Sequence, residues 1–189
     1  MIRCFLAINL STDTQSFISK SMLRWKSDYS GMVKWVRPEN CHVTLKFLGN
    51  VKKATLSKIE RHLVRVAASH NQFQITLSYP GVFPNKRFPR ILWLGLKGDL
   101  KSLGRLQCDM ERSLETLGFK AEKRSFVPHI TVGRIKGNKG RAPDLERFLG
   151  CTIPSIETNV DAIHLYQSIL TPSGPEYHRL SSFPLGDLS

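Results

Sequence analysis

Two short tracts of this chain set histidine and threonine at the same spacing. One is His42-Val43-Thr44-Leu45, within NCHVTLKFLGNV, and the other is His129-Ile130-Thr131-Val132, within FVPHITVGRI. Both read His, apolar, Thr, apolar, inside a run of β-forming residues. Successive side chains of a strand point to opposite faces. Each tract therefore presents an imidazole and a hydroxyl together, while Val43 and Leu45, or Ile130 and Val132, turn to a core. Two such strands on one cleft supply two imidazoles and two hydroxyls. Phosphodiester cleavage needs one group to take a proton from the nucleophile and another to give one to the leaving oxygen. Histidine does either near neutrality. The threonine hydroxyls can donate to the non-bridging oxygens without adding a titrating group. This makes His42 and His129 candidate catalytic residues and Thr44 and Thr131 candidate phosphate-binding residues. No metal or other cofactor is called for.

The tracts share their surroundings. A proline precedes each (Pro38, Pro128), a glycine follows each (Gly49, Gly133), and one lies in each half of the chain. Two copies suggest a duplicated half-domain rather than a repeat array. Arg134 and Phe47 each lie five residues after their histidine, so strict alternation turns both away from it. Gly133 can mark a bulge that re-aims Arg134 toward a phosphate or a base. Phe47 is either core or a base-stacking platform. Lys46, four residues after His42, keeps the histidine's face and can add charge at a phosphate. Lys86, Arg87, Arg90, Lys136, Lys139 and Arg141 fall in two loops that can rim a cleft.

Blander readings compete. Each histidine could be an edge-strand polar residue, with its threonine present for β-propensity. A metal site would need a third ligand at suitable spacing, for which Asp161 with His164 is the only nearby candidate, and no H-x-x-x-H or carboxylate triad supports it. Cys41 adjoins His42, but neighbouring strand residues face opposite ways, which rules out a Cys–His dyad. His62 and His70 fall on or just after a polar helix face and read as solvated. Nothing distinguishes His164 or His178.

The elements that must carry the tracts can be read from periodicity and caps. Strands are expected at Arg3–Ile8, Val33–Val36, His42–Leu48, Phe73–Tyr79, Ile91–Leu96, Val127–Ile135, Asp161–Leu170 and His178–Leu185. Helices are expected from a Ser11 or Thr12 cap to about Lys26, from about Thr55 to Ser69, from an Asp99 cap to about Leu117 before Gly118, and over Asp144–Leu149. Residues 81–89 and 136–142 read as loops. The order is α+β, over residues 1–189 as one domain or two intimately packed lobes.

The chain has 189 residues, enough for a sizeable core. Lys and Arg number 28 against 15 Asp and Glu, a net charge of +13 that suits a polyanionic partner. The four cysteines show no C-x-x-C spacing and read as reduced thiols in a cytoplasmic protein. No run is long enough for a membrane span.

With these residues in view, the chain resembles the 2H phosphoesterases. More narrowly it resembles the bacterial and archaeal RNA 2′,3′-cyclic phosphodiesterases, also called 2′-5′ RNA ligases. RCFLAINL resembles the family's opening strand, VKWVRPENCHVTLKFLG and FVPHITVGR its two tracts, and HLYQSILTPSGPEYHRL its closing hairpin. Cys41 stands where an aliphatic residue is more usual. The resemblance implies a two-lobed α+β fold, with two antiparallel sheets around a positively charged cleft. It implies metal-independent opening of RNA 2′,3′-cyclic phosphate ends to 2′-phosphomonoesters, and reversible 2′-5′ ligation of RNA such as tRNA fragments. It also implies that His42 is the proton donor, that His129 is the proton acceptor, and that Thr44 and Thr131 hold the phosphate. The protein is expected to act as a monomer. The competing class is a non-catalytic binder of RNA ends or nucleotides, which needs charge and stacking but not two titrating imidazoles.

Overall fold

The structure is a computed structural model that describes residues 1–137, 143–172 and 174–186. Lys139 and Arg141 of the second basic loop lie outside the described residues. Among the described residues, nine strands form one hydrogen-bonded sheet in which every pairing is antiparallel. They are β1 (Ile2–Ile8), β2 (Val33–Trp35), β3 (Val43–Val51), β4 (Phe73–Phe83), β5 (Ile91–Gly98), β6 (His129–Ile135), β7 (Glu157–Val160), β8 (Ala162–Thr171) and β9 (Gly174–Pro184). The order across the sheet is β7-β4-β5-β6-β3-β1-β8-β9, with β2 paired to β6. The two expected sheets are thus one. They meet where β3, carrying the first tract, lies beside β6, carrying the second.

Four helices, α1 (Thr12–Asp28), α2 (Leu56–Ala68), α3 (Leu100–Glu115) and α4 (Glu146–Leu149), bury one face of the sheet. Ser11 caps α1 by accepting from the Thr14 amide, and Asp99 caps α3 by accepting from the Ser102 amide. Gly118, at φ +86°, supplies the left-handed stop after α3. Ile18, Met22 and Trp25 of α1, Ile59 and Leu63 of α2, and Leu103, Leu106 and Met110 of α3 pack on Leu6, Val43, Leu92, Leu94, Ile130 and Leu165 in a single apolar cluster. Burial of this kind contributes about 1.5–3 kcal/mol per large side chain.

Three elements differ from expectation. Residues 81–83, expected in a loop, continue β4, because Gly81, Val82 and Phe83 pair with Trp93, Leu92 and Ile91. Strand β9 starts at Gly174 rather than His178, which brings Tyr177 into the sheet opposite Ser168. The short strand β7 has no hydrophobic run to announce it. It is held by pairing to β4, with Thr158 opposite Ile75.

Candidate active site

Strands β3 and β6 are registered through Val43 opposite Ile130. Each is the residue directly after its histidine. Carrying that register one step each way sets His42 across from Thr131 and Thr44 across from His129. The two buried apolar residues face the core, so both histidines and both threonines, all half-buried, share the opposite face. The side-chain hydroxyls of Thr44 and Thr131 have no protein partner among the described residues.

Both tracts then break alternation at the same step. On β3, Lys46 pairs with Leu6 and Thr44 with Ala7, so Leu45 is an extra residue. On β6, Thr131 pairs with Trp93 and Gly133 with Leu92, so Val132 is an extra residue. A one-residue bulge exchanges the faces of everything after it. Arg134 therefore emerges exposed on the histidine face, as the glycine beside it suggested. Phe47, at the matching position of the first tract, does the same and is 66% exposed, which excludes its core reading.

The same bulge overturns the expectation for Lys46. It turns inward, is 6% exposed, and pairs with Glu111 of α3 while also donating to the Lys120 carbonyl at 2.9 Å. Lys46 therefore serves the fold behind β3 rather than the cleft. Gly133 occupies the corresponding place on β6. A Cβ there would meet Val33 Cγ1 at 2.7 Å and Trp35 Cε3 at 3.0 Å.

The two imidazoles are held alike. His42 Nδ1 bonds the Asn40 carbonyl at 2.8 Å, and His129 Nδ1 bonds the Val127 carbonyl at 2.7 Å. A carbonyl only accepts, so Nδ1 must carry the hydrogen in both rings. In the neutral form this leaves the Nε2 lone pair as each ring's working site, and in the charged form an Nε2–H. Burial pushes His42 down to about 4, opposed by the Asn40 carbonyl and helped by the charge of His129. Burial also lowers His129, opposed by the Val127 carbonyl and helped by Arg134. Both shifts favour the neutral ring. A bound phosphate anion favours the charged form, which lets one of them enter the reaction as an acid.

The cleft floor is aromatic, and most of it escaped the sequence reading. Phe5 of β1 stacks under His42 at 4.8 Å and on Tyr166 at 5.3 Å, while Tyr177 meets His42 edge-on at 5.4 Å. On the other side, Trp93 stacks on Phe83 at 4.9 Å, and His129 lies edge-on to Phe83 at 5.0 Å. The Trp93 ring sits over Gly81, where a Cβ would fall 2.3 Å from it, and its buried indole N–H has no acceptor among the described residues. Phe5 and Trp93 are buried yet stand outside the main apolar cluster. Alternation could have found Trp93. In ILWLGL the leucines 92, 94 and 96 claim the core face and leave Trp93 on the other.

The remaining candidates are dispersed. Cys41 is buried, its Sγ donates to the Arg37 and Thr131 carbonyls, and burial pushes its thiol up to about 12, so it stays apart from His42 as expected. His62 and His70 are not simply solvated. His62 of α2 bonds Ser113 Oγ of α3 through Nδ1 at 3.0 Å, and His70, just after α2, pairs with Asp109 of α3 through Nε2 at 3.1 Å. His164 bonds Ser182 Oγ at 2.9 Å. Among the described residues no group of three or more His, Cys, Asp or Glu could hold a metal ion. Among them, too, no helix is long and apolar enough to cross a membrane.

Residues 18–170 match the sequence profile of the 2′-5′ RNA ligase superfamily. A Methanothermobacter thermautotrophicus protein named RNA 2′,3′-cyclic phosphodiesterase is 35% identical over 97% of this chain and 99% of its own. One of the same name from Archaeoglobus fulgidus is 37% identical over 96% and 99%. Among solved structures, a Thermus thermophilus protein superposes with a TM-score of 0.83 at 26% identity, covering all of both chains. Escherichia coli LigT superposes with a TM-score of 0.74 at 23% identity over 98% of each chain, a likeness of fold. The chain belongs to the 2′-5′ RNA ligase superfamily of 2H phosphoesterases.

Proposed function

We propose that this protein is an enzyme that hydrolyses the 2′,3′-cyclic phosphate at an RNA end to a 2′-phosphomonoester. The observation that carries this reading is the antiparallel pairing of the two His–Thr tracts, with both Nδ1 atoms engaged by carbonyls and both Nε2 atoms left to the cleft. Relatives bearing that name align over nearly the whole chain. In this reading His129 Nε2 takes a proton from water as the oxygen bonds to phosphorus. His42 Nε2–H gives a proton to the 3′ oxygen as its bond to phosphorus breaks. A low-pKa imidazolium is a strong acid, which suits the donor's role. Thr44 and Thr131 donate to the non-bridging oxygens. Arg134 contributes charge, and Phe47 a surface for a base. With the 5′ hydroxyl of a second RNA in place of water, His129 takes that hydroxyl's proton as its oxygen bonds to phosphorus and His42 protonates the leaving 3′ oxygen, which joins a 2′-5′ linkage. The reverse reaction cleaves it, and tRNA fragments are substrates with the right ends.

We assign the protein to the cytoplasm, where its four free thiols would persist, and read it as a monomeric single domain of two lobes meeting at β3 and β6. The test is incubation with a 2′,3′-cyclic nucleotide in EDTA, followed by phosphorus NMR. A 2′-phosphate product is expected, at a rate indifferent to the chelator. A 3′-phosphate would reverse the donor assignment. Loss of turnover restored by a divalent ion would replace the two-histidine mechanism. Tight binding without turnover would leave the protein a binder of RNA ends.

A further inference from the structure

The tip of the β4–β5 hairpin carries an aromatic group that the proposed chemistry does not use. Phe88 is 62% exposed, and the Arg87 guanidinium carbon lies 5.2 Å from its ring centroid. An exposed phenylalanine in a tip that also holds Lys86, Arg87 and Arg90 calls for a reason, since burying its ring would gain about 1.5–3 kcal/mol. The tip is built rather than loose. Asn85 Oδ1 accepts from the Arg87 amide at 3.0 Å and from the Phe88 amide at 2.9 Å. This Asx turn fixes the segment that holds both side chains. The Arg90 amide closes the loop on the Phe83 carbonyl at 2.7 Å.

The hairpin grows directly from the wall of the cleft. Phe83 meets the His129 ring, Ile91 pairs with both Phe83 and Arg134, and the Arg90 carbonyl accepts from the Ile135 amide at 2.9 Å. Four residues separate Phe83 from Phe88, so their Cα atoms stand within about 17 Å of each other. An RNA ending in a 2′,3′-cyclic phosphate can continue only in the 5′ direction. Its upstream nucleotides must leave the cleft over one of its rims, carrying bases to stack and phosphates to neutralise. An aromatic ring paired with a guanidinium, flanked by two further cations, matches that chemistry.

We propose that Phe88 and Arg87 form a second nucleobase platform, which grips a nucleotide upstream of the reacting end and makes the protein prefer an RNA chain over a free cyclic nucleotide. This rests on the reading of the cleft as the site for the RNA end.

The test compares a fluorescent tetraribonucleotide ending in a 2′,3′-cyclic phosphate with a 2′,3′-cyclic mononucleotide, by anisotropy, displacement and turnover. Phe88→Ala should weaken tetranucleotide binding and raise its KM roughly 5- to 150-fold, the range of one lost base stack. It should leave kcat and all mononucleotide constants unchanged. Phe88→Trp should restore tetranucleotide affinity, which loss of loop structure could not explain. Equal effects of Phe88→Ala on both substrates, or none on the tetranucleotide, would overturn the platform. Wild-type protein that binds the tetranucleotide without turnover would defeat the proposed reaction and leave the platform to stand or fall on the binding data.

Discussion

Val43 and Ile130 face each other as the one pair, among the described residues, that registers β3 with β6. Both are fully buried. Because each directly follows its histidine, this pair acts as a pivot. Residues of equal rank in the two tracts, His42 and His129, Thr44 and Thr131, Phe47 and Arg134, take equivalent stations on either side of it.

Replacing the imidazoles tests that equivalence. His42→Ala and His129→Ala should each lower kcat on a 2′,3′-cyclic nucleotide by about 10²–10⁴ with an unchanged circular dichroism spectrum. The double variant should be far less than multiplicatively worse, because the pair works as a unit. A single variant with near-wild-type turnover would remove that histidine from the mechanism.

Acid should weaken the fold through His42. Its imidazole titrates near 4 when folded and near 6.5 when unfolded. Between those values the unfolded chain holds more protons, so stability is fully present above the unfolded value and is lost as pH falls through the window. The loss from His42 is up to about 3 kcal/mol, and the lowered His129 adds in the same direction. Urea midpoints measured from pH 7 to pH 4 should fall less steeply for His42→Ala than for the wild type. Identical slopes would mean that His42 is not buried as a neutral ring.

Lys46 and Glu111 form an ion pair behind β3, with side chains 5% and 13% exposed. Lys46→Met strands the carboxylate and should cost about 3–5 kcal/mol in denaturant unfolding. Lys46→Met with Glu111→Leu should recover most of it, because an apolar pair often replaces a buried ion pair without loss. If the single and double variants were equally unstable, the packing of the lysine stem rather than the charge would be the contribution.

Gly133 lets β2 close over the bulge that aims Arg134. Its substitution by alanine drives a methyl into Val33 and Trp35, an overpacking that should cost about 1–3 kcal/mol. It should also raise KM for RNA ends as Arg134 shifts. A variant with wild-type stability and KM would show that β2 yields without cost.

The sequence by itself determined the local grammar. Alternation put each His and Thr on one face with Val43, Leu45, Ile130 and Val132 behind, and caps at Ser11 and Asp99 and the stop at Gly118 set helix ends. Gly133 was legible as a bulge because glycine is the residue that advertises one. The bulge at Leu45 has no such mark. Its consequences, Phe47 turned outward and Lys46 turned inward to Glu111, depend on register against β1 and on an acidic partner 65 residues away. Only the tertiary structure decided that Tyr177, Phe5 and Trp93 line one floor with the histidines, since contacts between distant strands leave no local periodicity. Only it decided which tautomer the rings take, because that follows from two carbonyls held at 2.7 and 2.8 Å. The chain's alternation supplies the reacting side chains. The pairing of strands far apart in sequence brings them together.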